Sequence, residues 1–234
     1  MSIGKVYLLP MLLHEQGWEA IPADIKKWIA QCDAFFVENE KTTRRYFKQI
    51  WKEMVIDDYI WHPIHKVEQT QIDTFTLLLN QGKNIGIVSE AGCAGIADPG
   101  QLLVAAAQNI GAIVKPYTSP SSLILALMAS GMNGQNFQFH GYLPIDANER
   151  KKKIMAIENE ANIKGTTQLF IETPYRNNQL LEALIQICHP QTRLCIGVDI
   201  TSPDEFIKTA TIGYWKNNKP ELHKKLAVFL LGSK

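Results

Sequence analysis

The sequence has no apolar run long enough for a membrane-spanning helix, so no membrane association is expected. Cysteine is scarce. Cys32, Cys93, Cys188 and Cys195 form no C-x-x-C pair, and the first residues carry no secretory-signal pattern. A reducing, cytoplasmic setting is the expectation. The six histidines lack H-x-x-x-H and mixed Cys/His spacing, which argues against a metal site. Charge of one sign is also lacking, since 24 Lys and Arg face 23 Asp and Glu for a net +1. That excludes a general affinity for nucleic acid or anionic membranes, and any basic surface must be local. Internal repeats and low-complexity tracts are missing too.

What is present is a chain of 234 residues, 46% of them apolar, enough for one large domain or two small ones. The central stretch is Ile85 to Gly100. Ile85-Gly86-Ile87-Val88 reads as a buried strand, followed by a loop of small residues with Gly92, Gly95 and Gly100, then an apolar helix pattern. Glycine lets backbone approach a ligand closely, and open α/β sheets bind ligands beyond the carboxyl ends of their strands. No Lys-Ser or Lys-Thr follows the glycines, so a P-loop fails. The spacing is not G-x-G-x-x-G either. A lone carboxylate, Glu90, beside exposed backbone suits a nucleoside-like ligand without a phosphate cluster. A purely structural tight turn is the competing reading.

Around this stretch, strands alternate with helices. Val6–Leu9, Ala34–Val37, Tyr59–Trp61, Ile85–Val88 and Ala112–Val114 read as five strands. Helical patterns run through Ile25, Trp28, Ile29 and Cys32 after Pro22, from about Thr42 to Trp51, through Ile72, Phe75 and Leu79, and through Leu103, Ala107 and Ile110. This order predicts a mostly parallel, doubly wound sheet. After Pro116 the polar hinge Tyr117–Ser122 changes the texture. A helix through Leu123 and Leu127 comes next, then strands at Phe137–His140 and Leu169–Ile171 flanking a charged helix near 147–161. Leu194–Val198, Phe206–Ile212 and Leu226–Leu231 follow a helix through Leu180 and Leu184, and predict antiparallel pairing. The expected domains are residues 1–116, an N-terminal α/β domain, and 117–234, a C-terminal α/β domain with a mixed sheet.

Taken in order, these segments resemble the tetrapyrrole methylase superfamily, and within it the ribosomal small-subunit RNA methyltransferase I branch. Ser89-Glu90-Ala91-Gly92-Cys93-Ala94-Gly95-Ile96-Ala97-Asp98-Pro99-Gly100 is similar to that family's S-D-A-G-T-P-x-x-S-D-P-G. Glu38 to Thr43 resembles E-D-T-R-x-T, and Ser119-Pro120-Ser121-Ser122 resembles P-G-P-S-A. Gly141-Tyr142-Leu143-Pro144 resembles G-F-L-P, and Glu172-Thr173-Pro174-Tyr175-Arg176 resembles E-S-P-H-R. Two departures stand out. Leu9-Pro10-Met11-Leu12-Leu13 keeps only the proline of T-P-I-G-N, and Asn39-Glu40-Lys41 replaces D-T-R. The resemblance implies two α/β domains with S-adenosylmethionine in the cleft between them, a homodimer, and RNA or a ribosomal particle as partner.

By that resemblance, Pro10, Glu90, Ala91, Gly92, Cys93, Ser119, Ser121 and Ser122 bind the methyl donor. The serines also suit helix capping. Glu38, Glu40 and Glu172 stand at or just after strand ends and are candidate bases for a hydroxyl acceptor, with salt bridging or helix stabilisation as the alternative. Arg44, with Arg45 and Lys48, and Arg150 and Lys152, within Arg150–Lys153, are candidate phosphate grips, although charge runs are commonly solvated helix faces. Arg176 is a candidate substrate contact. The expected function is methyl transfer from S-adenosylmethionine to RNA, at a ribose 2′-hydroxyl of ribosomal RNA. A tetrapyrrole or other small-molecule acceptor and a non-catalytic protein that binds the donor stay open beside it.

Overall fold

The computed structural model describes residues 2–64 and 68–234. They form two compact units, Met1–Ser121 and Ser122–Lys234. The division falls between the last two residues of the hinge, and Tyr117 belongs to the first unit, its ring stacked on Trp28 at 3.6 Å.

The first unit runs β1 (Val6–Leu8), α1 (Ile25–Ile29), β2 (Ala34–Val37), α2 (Glu40–Ile50), β3 (Ile60–Pro63), α3 (Gln69–Asn80), β4 (Ile85–Val88), α4 (Gln101–Asn109) and β5 (Val114–Pro116). Its sheet has the order β3-β2-β4-β1-β5 and is parallel throughout. Strand residues alternate between the two faces, and both faces are covered. Val6, Ala34, Phe36, Ile85 and Ile87 pack with Phe75, Leu79, Leu103 and Ala107. Tyr7, Leu9, Phe35, Val37 and Val88 pack with Ile25, Ile29 and Phe47. Burial on both sides explains why these strands read as continuous apolar runs.

Two strands lie apart from their sequence-based positions. Pro63 is the last residue of β3 and pairs with Val37, a place open to proline because β3 is an edge strand. The fifth strand begins at Val114 rather than Ala112, since the Ala112 amide donates to Ala107 O at 2.9 Å and closes α4 first.

The second unit runs α5 (Ser122–Ser130), β6 (Phe137–Tyr142), α6 (Ala147–Lys164), β7 (Thr167–Ile171), α7 (Asn177–Ile187), β8 (Arg193–Val198), β9 (Phe206–Thr211), α8 (Ile212–Asn217) and β10 (Ala227–Gly232). Its sheet order is β6-β7-β10-β8-β9. Only β6 and β7 are parallel, and the other pairs are antiparallel. Phe170, Ile196, Phe229 and Leu231 bury against Ile154, Ile157, Leu180, Leu184 and Trp215. The strand expected to reach Ile212 stops at Thr211, whose hydroxyl accepts the Tyr214 amide and starts α8. The fold is therefore the expected α/β one, with a parallel first sheet and a mixed second sheet.

Candidate functional site

In the first unit β1 and β4 are neighbours whose connections leave in opposite directions, β1 towards β2 and β4 towards β5. Such a switch point opens a crevice at the carboxyl ends of the strands. Here the loops after β1 and β4 are zipped together. The Met11 amide donates to Gly92 O at 3.0 Å, and the Gly92 amide donates to Met11 O at 3.2 Å. Gly92 has φ +71°, and a Cβ there would lie 2.8 Å from Pro120 O and 2.9 Å from a Leu13 methyl. Only glycine fits that position without strain.

Asp98 pins the rest of the loop, its two carboxylate oxygens accepting the Gly95 amide at 2.8 Å and the Gly100 amide at 2.7 Å. Burial raises its pKa, and those two donors oppose the rise. The Cys93 thiol points at Pro120 O, 3.4 Å away. Burial pushes its pKa up, and the charge of Asp98 adds to the rise. Cys93 is thus a packed thiol and not an activated one.

The loop borders two clefts. Residues after Gly92 (Cys93, Ala94, Gly95 and Ile96) line one of about 310 Å³ with Leu8, Gln101, Val104, Pro116, Tyr117 and Ser119. Residues before it, Glu90 and Ala91, line another of about 420 Å³ with Met11–Gln16, Thr42, Arg45, Tyr46 and Gln49. Pro10 is buried, its carbonyl accepting the Tyr46 hydroxyl at 3.1 Å. The Glu38 carboxylate accepts the Glu90 amide at 2.8 Å, and Asn39 Nδ2 donates to Glu90 Oε1 at 3.4 Å. Glu90 is held by its backbone while its own carboxylate stays exposed.

Pro10, Glu38, Glu90, Ala91, Gly92, Cys93 and Ser119 therefore converge in the first unit. Ser121 follows in the same segment, and Ser122 is the first residue of α5. Glu40 and Arg44 pair with each other on α2 at 2.6 Å, and the Arg44 guanidinium lies over Trp61 at 5.0 Å. Lys48 caps the chain after α2 by donating to Met54 O at 2.9 Å and to Lys52 O. Of that basic cluster, Arg45 is the residue that reaches a cleft.

The other candidates lie in the second unit. Arg150 is a correction: it is 7% exposed, packs on the inner face of α6, and donates to Ile145 O. Its spacing of four from Ile154 and seven from Ile157 put it on the apolar stripe, so its charge ties down a loop and does not face solvent. Lys152 is exposed. Glu172 has a buried side chain whose Oε1 accepts the Thr173 amide at 2.6 Å and Arg176 Nη2 at 2.6 Å. Among the described residues no group of three or more His, Cys, Asp or Glu could hold a metal ion; His65 lies outside them.

Sequence reasoning missed Leu12 to Gln16, Thr42, Tyr46 and Gln49. For Leu12 and Leu13 a signal was there in Leu9–Leu13, where the chain departs from the T-P-I-G-N pattern and where the structure places a cleft wall.

No family model matches the chain. It is similar to the protein named ribosomal RNA small subunit methyltransferase I of Bacillus subtilis, with 37% identity over 211 residues covering 88% of this chain and 68% of the relative. The Escherichia coli O157:H7 protein of that name is 32% identical over 146 residues, covering 62% and 50%. The Vibrio cholerae protein is 27% identical over 180 residues, covering 77% and 60%. Against these last two the chain spans half to three-fifths of the relative's length. Among solved structures, the methyltransferase CobJ matches with a TM-score of 0.65 at 15% identity, covering 98% of this chain and 94% of that one. A uroporphyrin-III-C-methyltransferase from Thermus thermophilus matches with a TM-score of 0.58 at 15% identity, covering 98% and 92%. These two likenesses concern the fold, and the sequence relatives carry the family. The chain belongs to the ribosomal RNA small subunit methyltransferase I family.

Proposed function

We propose that the protein is an S-adenosylmethionine-dependent methyltransferase acting on ribosomal RNA, with a ribose 2′-hydroxyl as acceptor. The observation that carries this reading is the loop pair closed by Met11 and Gly92, with a small-residue cleft beside it. That cleft fits an adenosyl group by its chemistry. Leu8, Ile96, Val104 and Pro116 offer apolar walls, Tyr117 a ring, and Ser119 and Gln101 polar anchors. Its volume of about 310 Å³ lies at the small end of ligand sites. Of the residues that the family resemblance assigns to the donor, Cys93 and Ser119 line this cleft, Pro10 and Gly92 belong to the loops that border it, and Glu90 and Ala91 line the neighbouring cleft.

When bound, S-adenosylmethionine supplies a sulfonium methyl for a hydroxyl to take up. The chain's own residues must orient the acceptor, exclude water and accept the hydroxyl proton. Glu90 suits the last task best. Its carboxylate is exposed at a cleft and its backbone is fixed by Glu38. Glu40 and Glu172 are instead neutralised by Arg44 and Arg176, and Glu38 acts as a positioning residue through the Glu90 amide. A homodimer and a cytoplasmic setting belong to the same reading, on the strength of the family resemblance.

Titration calorimetry with S-adenosylmethionine and S-adenosylhomocysteine tests the donor site. Both ligands should bind the wild type, and Gly92→Val should weaken them about tenfold or more, because its Cβ meets the Pro120 carbonyl as well as a Leu13 methyl, at a positive φ. Labelled methyl should then appear in RNA of small ribosomal particles. Binding without transfer to any RNA would support a non-catalytic binding protein. No binding of either ligand would sink the reading.

A further inference from the structure

Two motif residues have no role in the donor site. Tyr142, of Gly141-Tyr142-Leu143-Pro144, is 59% exposed, and Tyr175, of Glu172-Thr173-Pro174-Tyr175-Arg176, is 71% exposed. In the sequence they occupy different motifs, 33 positions apart by subtraction of their numbers. The fold brings them to one sheet edge. β6 and β7 are parallel neighbours, and past a register shift after Phe139 Tyr142 pairs with Ile171, the last residue of β7. The loop carrying Tyr175 begins at the next residue. Both rings thus stand at the carboxyl ends of adjacent parallel strands, the edge where α/β sheets take ligands.

These rings are exposed on fixed backbone. Glu172, nearly fully buried, binds the Thr173 amide and the Arg176 guanidinium and so locks the turn that carries Tyr175. The Lys224 amide donates to Pro174 O at 3.0 Å, which ties down the same turn from a second loop. On the other strand Arg150 donates to Ile145 O and holds the segment after Tyr142. Tyr175 meets one ring edge-on, His223, with centroids 5.7 Å apart. A large ring held in water by a pinned loop gains nothing from core packing, whereas a pre-set ring loses little entropy on binding.

The charges on the helix after Tyr142 and on the loop bonded to the Tyr175 turn suit a polyanion. Lys151, Lys152 and Lys224 are exposed and make no ion pair among the described residues. Asp146 is occupied in capping α6, and Glu221 accepts the amide of His223; Glu149 is the remaining exposed carboxylate of that helix start. We infer that Tyr142 and Tyr175 form a stacking platform for unpaired RNA bases, with Lys224 on the loop bonded to the Tyr175 turn, and Lys151 and Lys152 on the helix that follows Tyr142, gripping the phosphates. Aromatic faces of this kind bind bases of any identity, since every base has a π face. This rests on the RNA reading above and names a surface of the second unit for it.

The test is fluorescence anisotropy of the full chain, loaded with S-adenosylhomocysteine, against a labelled unstructured 12-nucleotide RNA. Tyr142→Ala and Tyr175→Ala should each weaken binding about fivefold or more, and the double variant about 25-fold or more. Tyr142→Phe and Tyr175→Phe should bind as the wild type does, because the ring and not the hydroxyl is used. Calorimetry on the same variants should show donor binding unchanged. RNA affinity unchanged in the double alanine variant would overturn the platform while leaving the RNA reading standing. A wild type that binds the donor but no RNA would overturn both. A double variant that keeps RNA affinity but loses a small-subunit protein would make the rings a protein contact and overturn the proposal.

Discussion

At the residue scale, chemistry that the sequence presents as catalytic or basic is often spent on holding loops. Glu172 and Arg176 show this most plainly, since their side chains are 1% and 27% exposed and form an i,i+4 pair. Removing one partner strands a buried carboxylate, which costs on the order of 3 kcal/mol. Arg176→Met should therefore destabilise the protein by about that amount in urea unfolding. The double variant Glu172→Gln with Arg176→Met should recover part of the loss, because no charge is then left buried. A neutral Arg176→Met would show that the pair does not hold the turn. Legibility at this scale was uneven. Gly92 was readable because its motif demands backbone freedom, and Glu90 because a lone acid follows a strand. The pairing of Glu40 with Arg44 and of Glu172 with Arg176 has helical spacing in both cases, yet spacing alone does not say whether an acid faces a cleft or a cation.

At the element scale, strands were read well wherever both faces are buried, and less well at edges and ends. β3 and β5 both shifted, one because an edge tolerates proline and the other because the end of α4 took the amide of Ala112. Helix starts depend on single caps. α6 runs for 18 residues and starts at Asp146, whose Oδ1 accepts the amides of Asn148 and Glu149. Asp146→Ala should cost about 1 kcal/mol in urea unfolding. Asp146→Ser should recover most of it. Because α6 begins immediately after the segment that follows Tyr142, fraying at this cap should also weaken the RNA anisotropy signal.

At the scale of the whole molecule, acid should loosen the fold through two histidines. Burial lowers the pKa of His62, and burial lowers that of His140 as well, where Lys153 adds and the Gln168 contact at 2.5 Å opposes. In both, the unfolded chain binds the proton more readily than the folded one. Their contribution is present above the ordinary value of 6.5 and is lost as pH falls through the lowered folded values. Asp98 acts with the opposite sign in a lower window, since its folded pKa is raised from 3.8. Melting temperature should fall between pH 7.5 and pH 5, and His140→Gln should flatten part of that fall. A profile that stays level in the wild type would refute the assignment.

The sequence by itself determined the alternation of elements, the parallel and mixed character of the two sheets, and the family. Apolar periodicity and short motifs are local signals that survive without coordinates. Only the tertiary structure decided which loops meet, that Gly92 closes on Met11, that Arg150 is buried, and that Tyr142 and Tyr175 share one edge. Those facts depend on strand order and side-chain direction. Both are set by long-range pairing, which no local stretch of sequence encodes.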